Sequence, residues 1–185
     1  MLLDLIQISP NAINSVYILR DFLEDKNQLS FLANKILDYT KTDEMNKSTN
    51  VKASMTSYDK LLDDSDFKSL HSKILLTLIN LYRMRTPHWK NTIKAQIIDS
   101  WGMSHKKGDH TIEHIHGGSS FSGAFYFKVP SHTEMYFADY QEAVKLEDNM
   151  LLLFPSLCKH SVGKHTGEEK RLSMAFNMNI IENSL

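Results

Sequence analysis

Nine histidines are spread along the chain, and two of them, His114 and His116, stand two residues apart. Successive side chains of a strand point to opposite faces, so an H-x-H pair on a strand projects both imidazoles from one face, where they can reach one metal ion. The competing reading is a chance pair on a solvated strand. The same alternation puts His110 and Ile112 on the ligand side and turns Glu113 and Ile115 away, which leaves Glu113 poorly placed as a ligand. His110 is open to a substrate contact or to solvent. Gly108 lies six residues before His114, and His160 lies five after Pro155 in the string LLLFPSLCKH. His71, His88, His105, His132 and His165 have no partner at a recognisable spacing and read as surface or satisfied structural residues. Cys158, two residues before His160, does not define a nucleophile–base geometry and reads as a packed core thiol.

The elements that must position these groups divide near residue 90. The first part, residues 1–90, reads as helical. Over 22–39 the apolar residues Leu29, Leu32, Ile36 and Leu37 recur at three and four. A second helix is capped by Asp63 or Asp64, buries Phe67, Leu70, Ile74, Leu75, Leu78, Ile79 and Tyr82, and ends at Thr86-Pro87, because the residue before proline is pushed out of helical geometry. Between them the polar stretch 41–60 reads as an exposed connection in preference to a lid. Beyond Trp89 the apolar period falls to two, predicting strands over 93–101, 111–116, 120–129, 134–138, 150–154 and 171–180. Short, closely spaced strands suggest an antiparallel barrel or jelly roll. In the last, Leu172, Met174, Phe176, Met178 and Ile180 share an apolar face, while Arg171, Ser173, Ala175, Asn177 and Asn179 share a polar one that, taken alone, belongs in solvent.

The G-x5-H-x-H and P-x4-H segments together resemble the two metal-bearing motifs of the double-stranded β-helix proteins, the cupins and their relatives. In that fold the first segment supplies two ligands and the second supplies a third from a strand packed opposite, which makes His160 the third ligand. The longer string SWGMSHKKGDHTIEHIHGGSSFSGAFYFKVP, with LLLFPSLCKHSV and EEKRLSMAFNMNI, is similar to the 2-oxoglutarate and iron(II) dependent oxygenases common in phage and marine bacterial genomes, distant relatives of the prolyl hydroxylases. The shared pieces are Trp101, Gly108, His114 with His116, Ser122-Gly123 with Tyr126, Pro155 with His160, and Arg171, Ser173, Phe176 and Asn177. They cover residues 97–180 and leave the first ninety residues weakly matched. The resemblance implies a dioxygenase that uses Fe(II), 2-oxoglutarate and O2, with hydroxylation as the default outcome. It implies an α+β fold, a jelly-roll core over 91–185 with the N-terminal helices on one sheet, and one domain over 1–185.

The role of Arg171 also follows from chemistry. 2-Oxoglutarate chelates a metal through its C1 carboxylate and keto oxygen, so its C5 carboxylate needs a separate anchor. A planar guanidinium matches a carboxylate in two parallel hydrogen bonds, which lysine cannot reproduce. Ser173 on the same face can add a donor, and Tyr126 or Asn177 a further contact. One departure concerns the metal. Iron enzymes of this kind use two histidines and a carboxylate, whereas His116 occupies the position where Asp or Glu would be usual. Either the site has three histidines, or a carboxylate such as Asp139 replaces one of them.

Twenty-one basic residues nearly balance twenty-two acidic ones, so no net field draws the chain to nucleic acid or an anionic membrane, and a small-molecule or peptidyl substrate fits better. A single cysteine excludes an intramolecular disulfide and favours the cytoplasm. The N-terminus lacks the pattern of an export signal, and no stretch approaches a membrane span. Monomer and homodimer are equally compatible with the sequence. Two rival functions use the same scaffold: a three-histidine cupin that does not use 2-oxoglutarate, and a β-helix binding module without catalysis.

Overall fold

The computed structural model describes residues 2–6, 15–42, 49–86 and 92–183. Pro87, His88 and Trp89, and residues 43–48 of the polar stretch, lie outside them. Among the described residues twelve strands run β1 (Leu2–Ile6), β2 (Val16–Arg20), β3 (Val51–Lys52), β4 (Ser54–Met55), β5 (Thr92–His105), β6 (His110–His114), β7 (Phe121–Lys128), β8 (Glu134–Phe137), β9 (Glu142–Lys145), β10 (Met150–Pro155), β11 (His160–Val162) and β12 (Arg171–Asn183). They form a seven-stranded sheet in the order β1-β2-β10-β7-β12-β5-β4 and a five-stranded sheet in the order β3-β6-β11-β8-β9, with every pairing antiparallel.

Two long helices cover the outer face of the larger sheet. Helix α1 (Lys26–Thr42) starts four residues later than the periodicity predicts, because Asp25 caps it by accepting from the backbone N–H groups of Asn27 and Gln28. Leu32 and Ile36 point inward as expected. A short helix α2 (Lys60–Asp63) precedes Asp64, which caps a 3-10 turn over Ser65–Phe67 by accepting from Asp66 N–H. Helix α3 (Lys68–Arg85) follows and buries Leu70, Ile74 and Leu78 against Ile93, Ile97, Phe125, Met174, Phe176 and Met178. The apolar face predicted for the last strand therefore meets the helices.

Between the sheets lies a second apolar layer of Val16, Ile18, Tyr126, Met135, Phe137, Leu152, Phe154 and Val162. Strands β7 and β10 are covered on both faces, which is why GAFYF and MLLLF read as unbroken apolar runs and not as alternation.

The first ninety residues are not purely helical. Strands β1 to β4 fall there, and β2 joins the larger sheet by pairing with β10. Its run Val16 to Leu19 is buried on both faces, which removes the period-two signature. β3 and β4 contain two residues each and owe their form to β6 and β5. Part of the polar stretch expected to be an exposed connection is thus edge strand of both sheets.

Candidate metal centre and buried arginine

His114 closes β6 and pairs in register with His160, the first residue of β11. The third-ligand strand is therefore a hydrogen-bonded neighbour in the same sheet, not a strand packed opposite. Against Val162 the register moves to Thr111, so three steps of β6 oppose two of β11. This bulge re-aims the strand. Thr111 faces inward together with His114, while Ile112 is exposed, the reverse of simple alternation. The bulge also ends β6 at His114. His116 comes from the following turn, tied by its N–H to the Ser156 carbonyl at 2.8 Å, and Ile115 is exposed.

The three imidazoles converge, with their ligand atoms all within 4.8 Å of one another. Nδ1 of His114 lies 2.9 Å from the Ile112 carbonyl, and Nδ1 of His160 lies 2.9 Å from the Cys158 carbonyl. A carbonyl only accepts, so each Nδ1 carries its proton and each Nε2 offers a lone pair to the cluster. Burial drives His160 down to about 3 and His116 to about 4, with the neighbouring imidazoles adding to the effect, and lowers His114 too. All three are neutral at physiological pH, the state a metal ligand needs. Among the described residues no carboxylate joins the group. Asp139 instead accepts from Lys159 N–H at 2.9 Å. Three nitrogen donors aimed at one point suit a divalent transition metal such as iron(II).

Arg171 opens β12, opposite His105 of β5. Its side chain is 1 % exposed, and its Nε and Nη1 have no hydrogen-bond partner among the described residues. At its start the polar face of β12 turns inward: Arg171, Ser173 and Ala175 line an inner chamber with Tyr126, Thr111 and the three histidines. Tyr126 pairs with Ser173 across β7 and β12 and is pushed up to about 12 by burial. Asn177 stands further along, lining an outer chamber of about 280 Å³ with Asp99, Trp101, Tyr58, His114 and His116. Its Oδ1 accepts from Ser122 Oγ at 2.6 Å. Gly123 beside it is required by close approach, since a Cβ would stand 2.5 Å from the Phe176 ring and 2.7 Å from the Leu152 carbonyl.

His105 overturns its sequence reading as a surface or satisfied residue. It is 1 % exposed, lines the inner chamber, and neither ring nitrogen has a partner among the described residues. Burial first, then the Arg171 charge, holds it well below the usual histidine range, so it is a neutral imidazole beside the arginine. Extending β5 past Trp101 by two and by four would have placed Met103 and His105 on the Trp101 face. Of the other histidines without a spacing partner, His88 lies outside the described residues, and the rest behave as expected: His71 bonds Ser100, His165 bonds Ser131 and the Glu169 carbonyl, and His132 is exposed, 3.4 Å from Glu134.

No protein-family model matches the chain, and no curated protein matches it in sequence. Solved structures do match. A viral collagen prolyl hydroxylase from Paramecium Bursaria Chlorella virus-1, in its 2-oxoglutarate complex, aligns at TM-score 0.63 and 13 % identity over 88 % of this chain and 94 % of that one. The epimerase SnoN of nogalamycin biosynthesis, in complex with Fe3+, alpha ketoglutarate and nogalamycin RO, aligns at 0.68 and 10 % over 92 % and 82 %. A prolyl hydroxylase from Trichoplax adhaerens, bound to a hypoxia inducible factor peptide fragment, aligns at 0.64 and 16 % over 94 % and 86 %. The chain has the double-stranded β-helix fold of these 2-oxoglutarate-dependent enzymes, an α+β jelly roll with its helices on one sheet.

Proposed function

We propose that the chain is an iron(II)- and 2-oxoglutarate-dependent dioxygenase, a hydroxylase, formed as one domain over residues 1–185 and working in the cytoplasm. The observation that carries this reading is Arg171, a buried guanidinium with two unpartnered donors. A buried cation without partners is strongly disfavoured unless an anion completes it. This one opens on the chamber where three neutral imidazoles meet.

In this reading His114, His116 and His160 hold the iron, and Arg171 with Ser173 and Tyr126 holds the far carboxylate of 2-oxoglutarate. His105 can donate one N–H beside the arginine. With oxygen, the bound iron and 2-oxoglutarate supply an oxidant for an unactivated C–H bond, with succinate and carbon dioxide as co-products. Met103, Ala124, Met135, Phe154 and Val162 give the chamber apolar walls, which exclude water and strengthen the charge pairing at Arg171. The outer chamber, which shares His114, His116 and Trp101 with the inner one, receives the substrate. The resemblance to the phage and marine bacterial oxygenases and the shared fold both support the assignment.

Under anaerobic conditions, iron(II) and 2-oxoglutarate together should give the weak visible charge-transfer band of a chelated keto acid. Oxygen should bleach it and release succinate, and His160→Ala should abolish both signals. A protein that binds iron yet shows neither band nor succinate overturns the reading. The absence of a carboxylate ligand favours a second reading, a cupin-like metal enzyme that ignores 2-oxoglutarate. It leaves the unpartnered donors of Arg171 without a purpose.

A further inference from the structure

Strands β5 and β12 run past the site as paired rails whose inward residues change character from end to end. At the deep end Arg171 faces His105, and six residues away Asn177 faces Asp99, a span of about 20 Å at the rise of a strand. Among the described residues, Arg171 is the one cationic side chain lining the inner chamber, and Asp99 is the one anionic side chain lining the outer. The site is polarised along its axis.

Asp99 has a structural task that uses only part of its capacity. Its Oδ1 accepts from Asn177 N–H at 3.1 Å, where the register of β12 shifts. Its partners come from Asn177 alone, and among the described residues it forms no ion pair. The half-buried carboxylate thus keeps an acceptor oxygen and an uncompensated charge, and burial pushes its carboxyl up against those hydrogen bonds. Trp101, two residues on and on the same face of β5, lines both chambers. Its ring stands edge-on to Tyr58 at 5.0 Å, and its Nε1 has no partner among the described residues. Tyr58 is 44 % exposed. The Tyr58 carbonyl accepts from Ser100 N–H at 2.7 Å, which pins the aromatic against β5. Two aromatic rings beside a carboxylate form a setting that favours an organic cation over a neutral or anionic group.

Resting on the dioxygenase reading, we propose that the outer chamber recognises a protonated amine of the substrate, with Asp99 taking the charge and Tyr58 and Trp101 flanking it. Trp101 packs on His116 with ring centroids 6.1 Å apart. Such an amine can belong to a free metabolite or to a lysyl side chain of a peptide.

The test uses the full chain with iron(II) and 2-oxoglutarate under anaerobic conditions and reads quenching of tryptophan fluorescence, to which Trp101 contributes. Probes of one shape and three charges are compared: butylammonium, butanol and butyrate. The tripeptide acetyl-Gly-Lys-Gly-amide is added to separate a peptidyl source from a free one. Butylammonium or the lysyl peptide should quench saturably, the tighter of the two identifying the source, while butanol and butyrate should not. Asp99→Asn keeps an oxygen acceptor for Asn177 and should weaken binding of the cation by at least about tenfold. Tyr58→Leu, which leaves β5 untouched, should weaken it several-fold. Equal binding of butanol or butyrate, or a folded Asp99→Asn protein with unchanged affinity for the cation, overturns the proposal. If Asp99→Asn fails to fold, the charge comparison on the native chain and Tyr58→Leu still decide. The charge-transfer band of the native chain separates the two readings. Band without cation selection sinks this proposal alone, and cation selection without the band sinks the dioxygenase alone.

Discussion

Replacing Arg171 with methionine should push co-substrate binding and apoprotein stability in opposite directions. The guanidinium is fully buried, so its contact with a carboxylate is not weakened by solvent. Losing a charge-assisted bidentate pair in such a place costs about 2–5 kcal/mol, which is about thirty- to several-thousand-fold in the affinity for 2-oxoglutarate. Without ligand the balance reverses. Nε and Nη1 are both unpartnered among the described residues, and each unsatisfied buried donor costs about 1–3 kcal/mol. Methionine is of similar length, apolar, and adapts to an irregular gap. Arg171→Met should therefore unfold at the same temperature as the native apoprotein or higher, retain iron(II), and lose the stabilisation that 2-oxoglutarate confers on the native chain. Thermal scans with and without 2-oxoglutarate, beside an anaerobic titration of the charge-transfer band, read both effects. Two results would refute the reasoning: binding within about threefold of native, since the pair is worth more than that, or an apo variant clearly less stable than native, which would mean the guanidinium already has its partner within the fold.

His114→Ala and His160→Ala should each weaken iron(II) binding by at least about tenfold, whereas His116→Asp should bind at least as tightly as native, because it puts one negative charge among otherwise neutral ligands; equilibrium dialysis distinguishes them. Gly123→Ala should lower stability by about 1–3 kcal/mol or more, seen as a lower denaturation midpoint, since its Cβ would meet the Phe176 ring and the Leu152 carbonyl. Burial holds His71, bonded to Ser100, down to about 4, while an unfolded histidine titrates near 6.5. Between those values the unfolded chain binds the extra proton, so stability rises with pH through this window and is lost as acid is added. His71→Gln should make that dependence shallower by one histidine's share in urea melts taken at several pH values across the window, the remainder coming from the buried His105, His114, His116 and His160.

The sheet residues that carry the site were legible where alternation survived folding. β12 kept a strict period of two from Arg171 to Asn177, so its two faces could be separated by inspection, although only the second sheet shows that the polar face looks into a chamber. His105 is not legible in the sequence, because a lone histidine at the end of a long strand has no spacing partner. Its meaning comes from Arg171 on the neighbouring strand, sixty-six positions later. Strands β3 and β4 are illegible for a different reason, as two residues cannot express a period.

The histidine pair shows where spacing arguments stop. The H-x-H spacing predicts two imidazoles on one face of one strand, and the imidazoles do converge. Yet the β6 bulge ends the strand at His114, and His116 reaches the cluster from a turn held by the Ser156 carbonyl. A two-residue separation keeps two side chains within reach of one ion in several backbone geometries, so the spacing speaks for chelation more firmly than for the strand. The bulge has a further consequence. With His114 opposite His160 and Thr111 opposite Val162, β6 carries one more residue between its two chamber-lining positions than its pairing partner does. Deleting Ile112, the exposed residue within the bulge, would shorten β6 by that step. Two steps of β6 would then oppose two of β11, so Thr111 could stay opposite Val162 and His114 opposite His160 in regular pairing, with the bulge gone.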